Sequence, residues 1–118
     1  MLHFLLIDDN AERRTRLSNL LRKEGAVVSE AETVAQGIEF SRRTGIDAFL
    51  IDTCAAEIDG RRALDLVRRE GIEAPVVLLA DRWDERLYAQ LEAKGGQLLK
   101  KTAQPKLLVD ACCGAMAV

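Results

Sequence analysis

The sequence FLLIDD at residues 4–9 places two adjacent carboxylates, Asp8 and Asp9, directly after four apolar residues. A second apolar run, AFLI at residues 48–51, leads in the same way to Asp52. If the two runs are neighbouring strands of a parallel sheet, the three acids converge at one edge of it and need a compensating cation. Carboxylate oxygens are the hard ligands that Mg²⁺ takes in proteins. The two runs therefore predict a divalent metal site at that edge.

Short apolar runs alternate with helical patterns along the whole chain. Each run is followed by a segment with apolar residues at helical spacing, such as Leu17, Leu20 and Leu21 in the first of them. The strands are expected at residues 3–7, 26–31, 47–51, 75–80 and 97–100. A left-handed C-cap favours glycine. The first four helices are therefore expected to end at Gly25, Gly45, Gly71 and Gly95–Gly96.

The first, third and fourth strands are continuously apolar rather than alternating, which is typical of strands buried on both faces. We therefore expect an α/β fold in which helices cover a doubly wound parallel sheet. In open sheets of this kind, ligands bind beyond the carboxyl ends of the strands, where the winding reverses. Asp8, Asp9 and Asp52 are expected at that edge.

The length and composition fit one domain over residues 1–118, with 48% apolar residues to form its core. Seventeen basic and nineteen acidic residues leave a net charge of -2, which does not favour binding to nucleic acid or to an anionic membrane. No apolar run approaches the ~18 residues of a membrane helix, and the start of the chain lacks a secretion signal, so we expect a cytoplasmic protein. Paired basic residues are expected on solvated helix faces. These pairs are Arg13–Arg14, Arg42–Arg43, Arg61–Arg62 and Arg68–Arg69.

The cysteines do not suggest a metal or disulfide framework. Cys54, Cys112 and Cys113 make an odd count without C-x-x-C spacing, and His3 is the only imidazole. We expect Cys112 to be a small core residue and His3 to be a polar residue at the start of the first strand.

Four motifs carry a resemblance to a known family. They are LLIDDN at 5–10, FLIDTCAAEIDG at 49–60, APVVLLA at 74–80 and LLKKT at 98–102. In this order and spacing the chain resembles a receiver domain of the bacterial response-regulator family over its whole length. The resemblance implies a flavodoxin-like (βα)5 fold with a parallel sheet of strand order 2-1-3-4-5.

The resemblance also implies a role for each matching residue. Asp52 would be the phosphoacceptor, and Lys101 would contact the phosphoryl group. Mg²⁺ would be held by Asp9 and Asp52, by Asp8 through water, and by the backbone carbonyl of Cys54. These roles agree with the chemistry, since phosphoryl transfer needs an aligned oxygen nucleophile and cations on the nonbridging oxygens.

Two alternatives compete with these assignments. Asp8 and Asp9 could serve only to cap the first helix, because helix N-termini favour acids. Lys100 competes with Lys101 for the phosphoryl contact, although Thr102 occupies the usual place of the family's proline and favours Lys101.

The chain departs from the family at its switch positions. Ala80 stands where the family has a threonine or serine that bonds the phosphoryl group, and Leu99 stands where it usually has a switching aromatic residue. Ala55–Ala56 replace the customary Met-Pro, and Thr102 replaces a proline. A missing hydrogen bond to a charged group is worth about 1.5–3 kcal/mol, enough to weaken the conformational response without abolishing acylphosphate formation at Asp52.

The resemblance implies a receiver domain of a two-component system or phosphorelay. It would take a phosphoryl group from a histidine kinase or histidine phosphotransferase onto Asp52 with Mg²⁺, and it would not be an enzyme beyond self-catalysed phosphorylation and dephosphorylation. The alternative is a pseudo-receiver that binds partners without phosphate, which Ala80 and Leu99 favour. An aspartyl-phosphate phosphatase would want Asp-x-Asp after the first strand rather than the adjacent pair found here.

The resemblance further implies an output face formed by helix 4, strand 5 and helix 5. This face would contact an effector domain or a target protein, and it allows a homodimer. The sequence names neither the kinase nor the output. It is compatible with a single-domain regulator and with a domain of a longer protein.

Overall fold

The computed structural model describes residues 2–52, 60–81, 85–100 and 104–116. Within these residues, five strands alternate strictly with five helices. The order is β1 (His3–Ile7), α1 (Ala11–Lys23), β2 (Val27–Ala31), α2 (Val34–Arg43), β3 (Ala48–Asp52), α3 (Gly60–Arg69), β4 (Val76–Ala80), α4 (Glu85–Ala93), β5 (Gly96–Lys100) and α5 (Pro105–Met116). Each strand begins and ends within one residue of the range that the sequence predicts.

All neighbouring strands are parallel, and their order is β2-β1-β3-β4-β5. This confirms the predicted fold class and strand order. The chain winds from β1 outward to β2 and then returns to β3 on the other side of β1. The winding therefore reverses between β1 and β3, the two strands that lead to the acids.

The sheet is buried on both faces, as the continuously apolar strands predict. Helices α2, α3 and α4 cover one face and α1 and α5 cover the other. The first face presents Leu5, Ile7, Phe49, Ile51 and Leu78, and the second presents Phe4, Leu6, Leu50, Val77 and Leu79. Cys112 of α5 is fully buried in the second core, as expected.

The glycine prediction is confirmed at three helix ends and wrong at one. Gly25, Gly71 and Gly95 adopt positive φ angles of 93°, 77° and 78°, where a side chain would be strained. Gly45 does not, because α2 ends at Arg43 and its C-cap residue, Thr44, is extended. None of the described helices is long and apolar enough to span a membrane.

Gly37 brings α2 close to the sheet, and this contact gives a first prediction. A methyl group at Gly37 would lie 2.6 Å from Cδ1 of Ile7 and 3.2 Å from Cδ2 of Leu5. We expect Gly37→Ala to lower the free energy of unfolding by about 1 kcal/mol, because overpacking outweighs the gain in helix propensity. Urea denaturation measures this change, with Gly45→Ala as the control because no atom lies within 4 Å of its added methyl. Equal or greater stability of Gly37→Ala would show that β1 repacks without cost.

Candidate functional site

Asp8 and Asp52 lie side by side at the carboxyl ends of neighbouring strands. Ile7 of β1 pairs with Ile51 of β3, so the acids that follow them emerge together. Asp8 is 3% exposed and Asp52 is 4% exposed. Asp9 follows in the loop to α1 and is exposed. The predicted convergence of the three acids at one edge of the sheet is therefore observed.

The guanidinium of Arg13 contacts all three carboxylates. Its Nη2 donates to Oδ1 of Asp8 at 2.7 Å and its Nε donates to Oδ2 at 3.0 Å, which makes a bidentate pair. Its Nη2 lies 3.4 Å from Oδ1 of Asp9, and its Nε lies 3.6 Å from Oδ2 of Asp52. The chain itself thus supplies a compensating cation to the acid cluster, which we define as Asp8, Asp9 and Asp52.

The start of α1 fixes the backbone of Arg13. Asn10 is the N-cap of α1, and its Oδ1 accepts a hydrogen bond from the backbone N–H of Arg13 at 2.9 Å. The backbone N–H of Asn10 in turn donates to Oδ1 of Asp8 at 2.9 Å. The alternative that Asp8 and Asp9 serve only as helix caps is wrong, because Asn10 holds the cap position.

Arg14 holds the same loop from its other side. Its Nη1 donates to the backbone carbonyl of Asp8 at 2.6 Å, and its Nε donates to Glu30 of β2 at 3.3 Å. The backbone N–H of Asp8 donates to the carbonyl of Ala31 at 3.1 Å. Asp8 is therefore anchored through its backbone as well as through its carboxylate.

Hydrogen bonding keeps both Asp8 and Arg13 in their charged forms. Burial alone would raise the pKa of Asp8. Hydrogen bonds from Arg13 and from the backbone of Asn10, together with hydrogen bonding to Asp52, outweigh that effect and lower the pKa below its usual value. The hydrogen bond to Asp8 raises the pKa of Arg13, so its guanidinium stays charged.

The expectation that paired arginines lie on solvated faces is wrong at Arg13, Arg14 and Arg68. Arg68 donates from Nη1 to the carbonyls of Ile72 and Ala74 at 2.9 and 2.8 Å, and burial lowers its pKa. Charge pairing alone did not distinguish these residues from their exposed neighbours. The signal for Arg13 was its position in the first helical turn, four residues after Asp9, where i,i+4 pairs meet.

The acid cluster opens onto a cleft of about 210 Å³ between α1 and α5. Its apolar wall includes Leu17 and Leu20 of α1 and Leu79 of β4. Arg16 and Pro105 complete its rim. The cleft gives a small group access to the edge of the sheet at which Asp52 lies.

The chemistry of the acid cluster suits Mg²⁺, but Arg13 already engages it. Both oxygens of Asp8 accept hydrogen bonds from the guanidinium. In the described part of the chain, no group of three His, Cys, Asp or Glu side chains is arranged to hold a metal ion as it stands. The donors fit the ion, and its binding would require the guanidinium to withdraw.

The two predicted switch positions lie on β4, which neighbours β3, and on β5 at the edge of the sheet. Ala80 is the last residue of β4, is 7% exposed and pairs in register with Lys100. Leu99 pairs with Leu79 and packs against the core under α1 and α5. Other predicted residues lie outside the described ranges, and their roles stay predictions. These are Lys101, Cys54, Ala55, Ala56 and Thr102.

Comparison with known proteins identifies the family. The family model for the response regulator receiver domain matches residues 4–112. The nitrate/nitrite response regulator protein NarP of Escherichia coli is 27% identical over 110 residues, which cover 91% of this chain and 51% of that protein. The chain thus spans about half the length of this relative.

Solved structures show the same fold. A response regulator receiver domain from Clostridium thermocellum superposes with a TM-score of 0.87 at 20% identity and covers 99% of this chain and 95% of its own. A beryllofluoride-activated NtrC4 receiver domain dimer gives a TM-score of 0.85 at 18% identity, with 99% and 98% coverage.

The family match also describes the general behaviour of such domains. Receiver domains are signalling domains rather than enzymes in the ordinary sense, they interact with histidine kinases and effectors, and they generally depend on Mg²⁺. The match over residues 4–112, together with the parallel sheet in the order β2-β1-β3-β4-β5, establishes that this chain belongs to the response regulator receiver domain family of two-component signalling.

Proposed function

We propose that this domain accepts a phosphoryl group on Asp52 from a histidine kinase or a histidine phosphotransferase, with Mg²⁺. The observation that carries the proposal is the position of Asp52. Its carboxylate ends β3 beside Asp8 and at the base of the cleft between α1 and α5. A nucleophile in this position is nearly buried yet can be reached by a small phosphodonor or by an imidazole that enters the cleft.

The transfer uses one carboxylate oxygen of Asp52 as the nucleophile. This oxygen forms a bond to phosphorus while the bond from phosphorus to the donor nitrogen breaks, and the donor leaves as a free imidazole. Asp8, Asp9, Asp52 and the backbone carbonyl of Cys54 would hold Mg²⁺, which when bound neutralises charge on the nonbridging oxygens. Lys101 would contact the same oxygens.

The output face would be formed by α4, β5 and α5. Leu107 of α5 is 53% exposed, so this helix presents one apolar side chain to solvent. An effector domain, a target protein or a second copy of the chain would bind there. The solved dimer of a related receiver domain supports the last of these.

Phosphorylation can be tested directly. We expect the domain to gain one phosphoryl group when it is incubated with acetyl phosphate and Mg²⁺, because the acid cluster supplies the nucleophile and the metal ligands. Intact mass spectrometry measures the gain, and hydroxylamine should remove it since it cleaves acyl phosphates. Chelation of Mg²⁺ should prevent the gain.

The absence of labelling by acetyl phosphate and by histidine kinases would contradict the proposal. It would leave the phosphorylation-independent pseudo-receiver as the better description, which the family match does not favour.

A further inference from the structure

Arg13 makes the contacts that a bound cation would make at the acid cluster. Its guanidinium lies within 3.6 Å of an oxygen of each of the three carboxylates. Two of these acids, Asp8 and Asp52, are almost completely buried, where a compensating positive charge counts most.

The neighbouring arginines do not have this role. Arg14 is directed to the backbone carbonyl of Asp8 and to Glu30. Arg16 lines the cleft but is exposed, and it forms no ion pair with the acid cluster among the described residues. Of these three arginines, Arg13 is therefore the one whose guanidinium contacts the carboxylates of the acid cluster.

The geometry of Arg13 also allows its side chain to leave. Its side chain is 39% exposed and lines the cleft, so it has a path to solvent. Its backbone is held by the Asn10 cap and by α1. Withdrawal of the guanidinium therefore needs only side-chain rotation, with no change in the fold of the loop.

We propose that the guanidinium of Arg13 is a built-in counter-cation that competes with Mg²⁺ for the acid cluster. Without Mg²⁺ the guanidinium supplies one positive charge to the cluster, and Mg²⁺ binds only as the guanidinium withdraws from Asp8. The inference rests on the acid cluster being the Mg²⁺ site of the proposed function. It implies that this chain binds Mg²⁺ more weakly than its carboxylates alone would allow.

The test compares Arg13→Met with Arg16→Met. Both variants remove one positive charge from the same face of α1, but only the first removes a guanidinium that contacts the acid cluster. We expect Arg13→Met to bind Mg²⁺ about tenfold or more tightly than Arg16→Met and than the wild type, because a charge-assisted bidentate pair no longer has to be broken. Titration calorimetry with Mg²⁺ alone, without any phosphodonor, measures the affinities.

Thermal unfolding gives a second measurement. Arg13→Met should melt below the wild type without metal, since three carboxylates then lack this counter-charge, and millimolar Mg²⁺ should raise its melting temperature more than that of the wild type. Circular dichroism checks that the variants fold. Arg13→Lys keeps the charge but loses the bidentate fork, so its affinity should be intermediate, and it replaces Arg13→Met if that variant does not fold.

Each outcome decides the inference. Equal Mg²⁺ affinities of Arg13→Met and Arg16→Met would overturn the competition while leaving the metal site of the proposed function in place. No Mg²⁺ binding by any of the proteins would overturn that metal site as well.

Discussion

Asp52→Asn is expected to gain no phosphoryl group under conditions in which the wild-type domain gains one. The substitution keeps the shape of the side chain but replaces the nucleophilic carboxylate with an amide, which does not attack phosphorus. Asp8, the other buried acid at this edge, would serve the bound Mg²⁺ in the proposed site, so we do not expect it to replace Asp52. Intact mass spectrometry after incubation with acetyl phosphate and Mg²⁺ measures the loss.

The control for this prediction is Asp110→Asn, which makes the same change at an exposed position of α5. It should be labelled like the wild type. Asp52→Asn should also melt no lower than the wild type without metal, because it removes one charge from a cluster of three acids. Equal labelling of Asp52→Asn and the wild type would show that another residue accepts the phosphoryl group.

The architecture could be predicted from the sequence because apolar runs and helical patterns alternate regularly along the chain. Strands that are apolar at every position must be covered on both faces, and a parallel sheet with helices on both sides does so. The convergence of Asp8 and Asp52 followed from the same argument, since residues at the carboxyl ends of neighbouring parallel strands lie together. Both inferences need only the position of a residue within its element.

The burial of individual side chains was harder to predict, because it depends on which elements pack against a helix. Leu20 was expected on the buried face of α1, but it is 39% exposed at the cleft, while Ser18 is fully buried beside Leu21. The inward stripe of α1 runs through positions 17–18 and 21, and Leu20 lies at its margin. An apolar residue at the margin of the stripe has the same sequence signature as one at its centre.

The contact of Arg13 with the three acids could not be predicted from the sequence for a similar reason. The sequence indicated that the three acids need a cation, and the ligand chemistry of carboxylates led to a metal ion. The structure adds a guanidinium from the first turn of α1, which the sequence did not indicate. The sequence pattern of a helix does not show whether a basic side chain extends into solvent or folds back over the helix N-terminus. Only the three-dimensional structure distinguishes these two cases.

The second large effect is expected at Ala80, because the resemblance to receiver domains implies that a threonine or serine hydroxyl at this position couples the phosphoryl group to α4. Ala80 ends β4 in the core that faces α3 and α4, one strand away from Asp52. A ligand shifts a two-state equilibrium only by its differential affinity for the two states. Without the hydroxyl, beryllofluoride bound at Asp52 with Mg²⁺ should perturb α4 only weakly.

Ala80→Thr should restore much of this response. A hydrogen bond to a charged group is worth about 1.5–3 kcal/mol, which corresponds to a shift of about tenfold to a hundredfold in the ratio of the two states. Amide hydrogen exchange in α4 and the fluorescence of Trp83, the one tryptophan of the chain, measure the response with and without beryllofluoride.

Ala80→Val is the matched control for this substitution. Ala80 is only 7% exposed, so any larger side chain changes the packing there, and valine has the shape of threonine without its hydroxyl. If the hydroxyl carries the coupling, Ala80→Thr responds to beryllofluoride and Ala80→Val responds like the wild type. A wild-type response in α4 as large as that of Ala80→Thr would show that this chain transmits the change by a route that needs no hydroxyl at position 80. Equal responses of the threonine and valine variants would instead attribute the effect to packing.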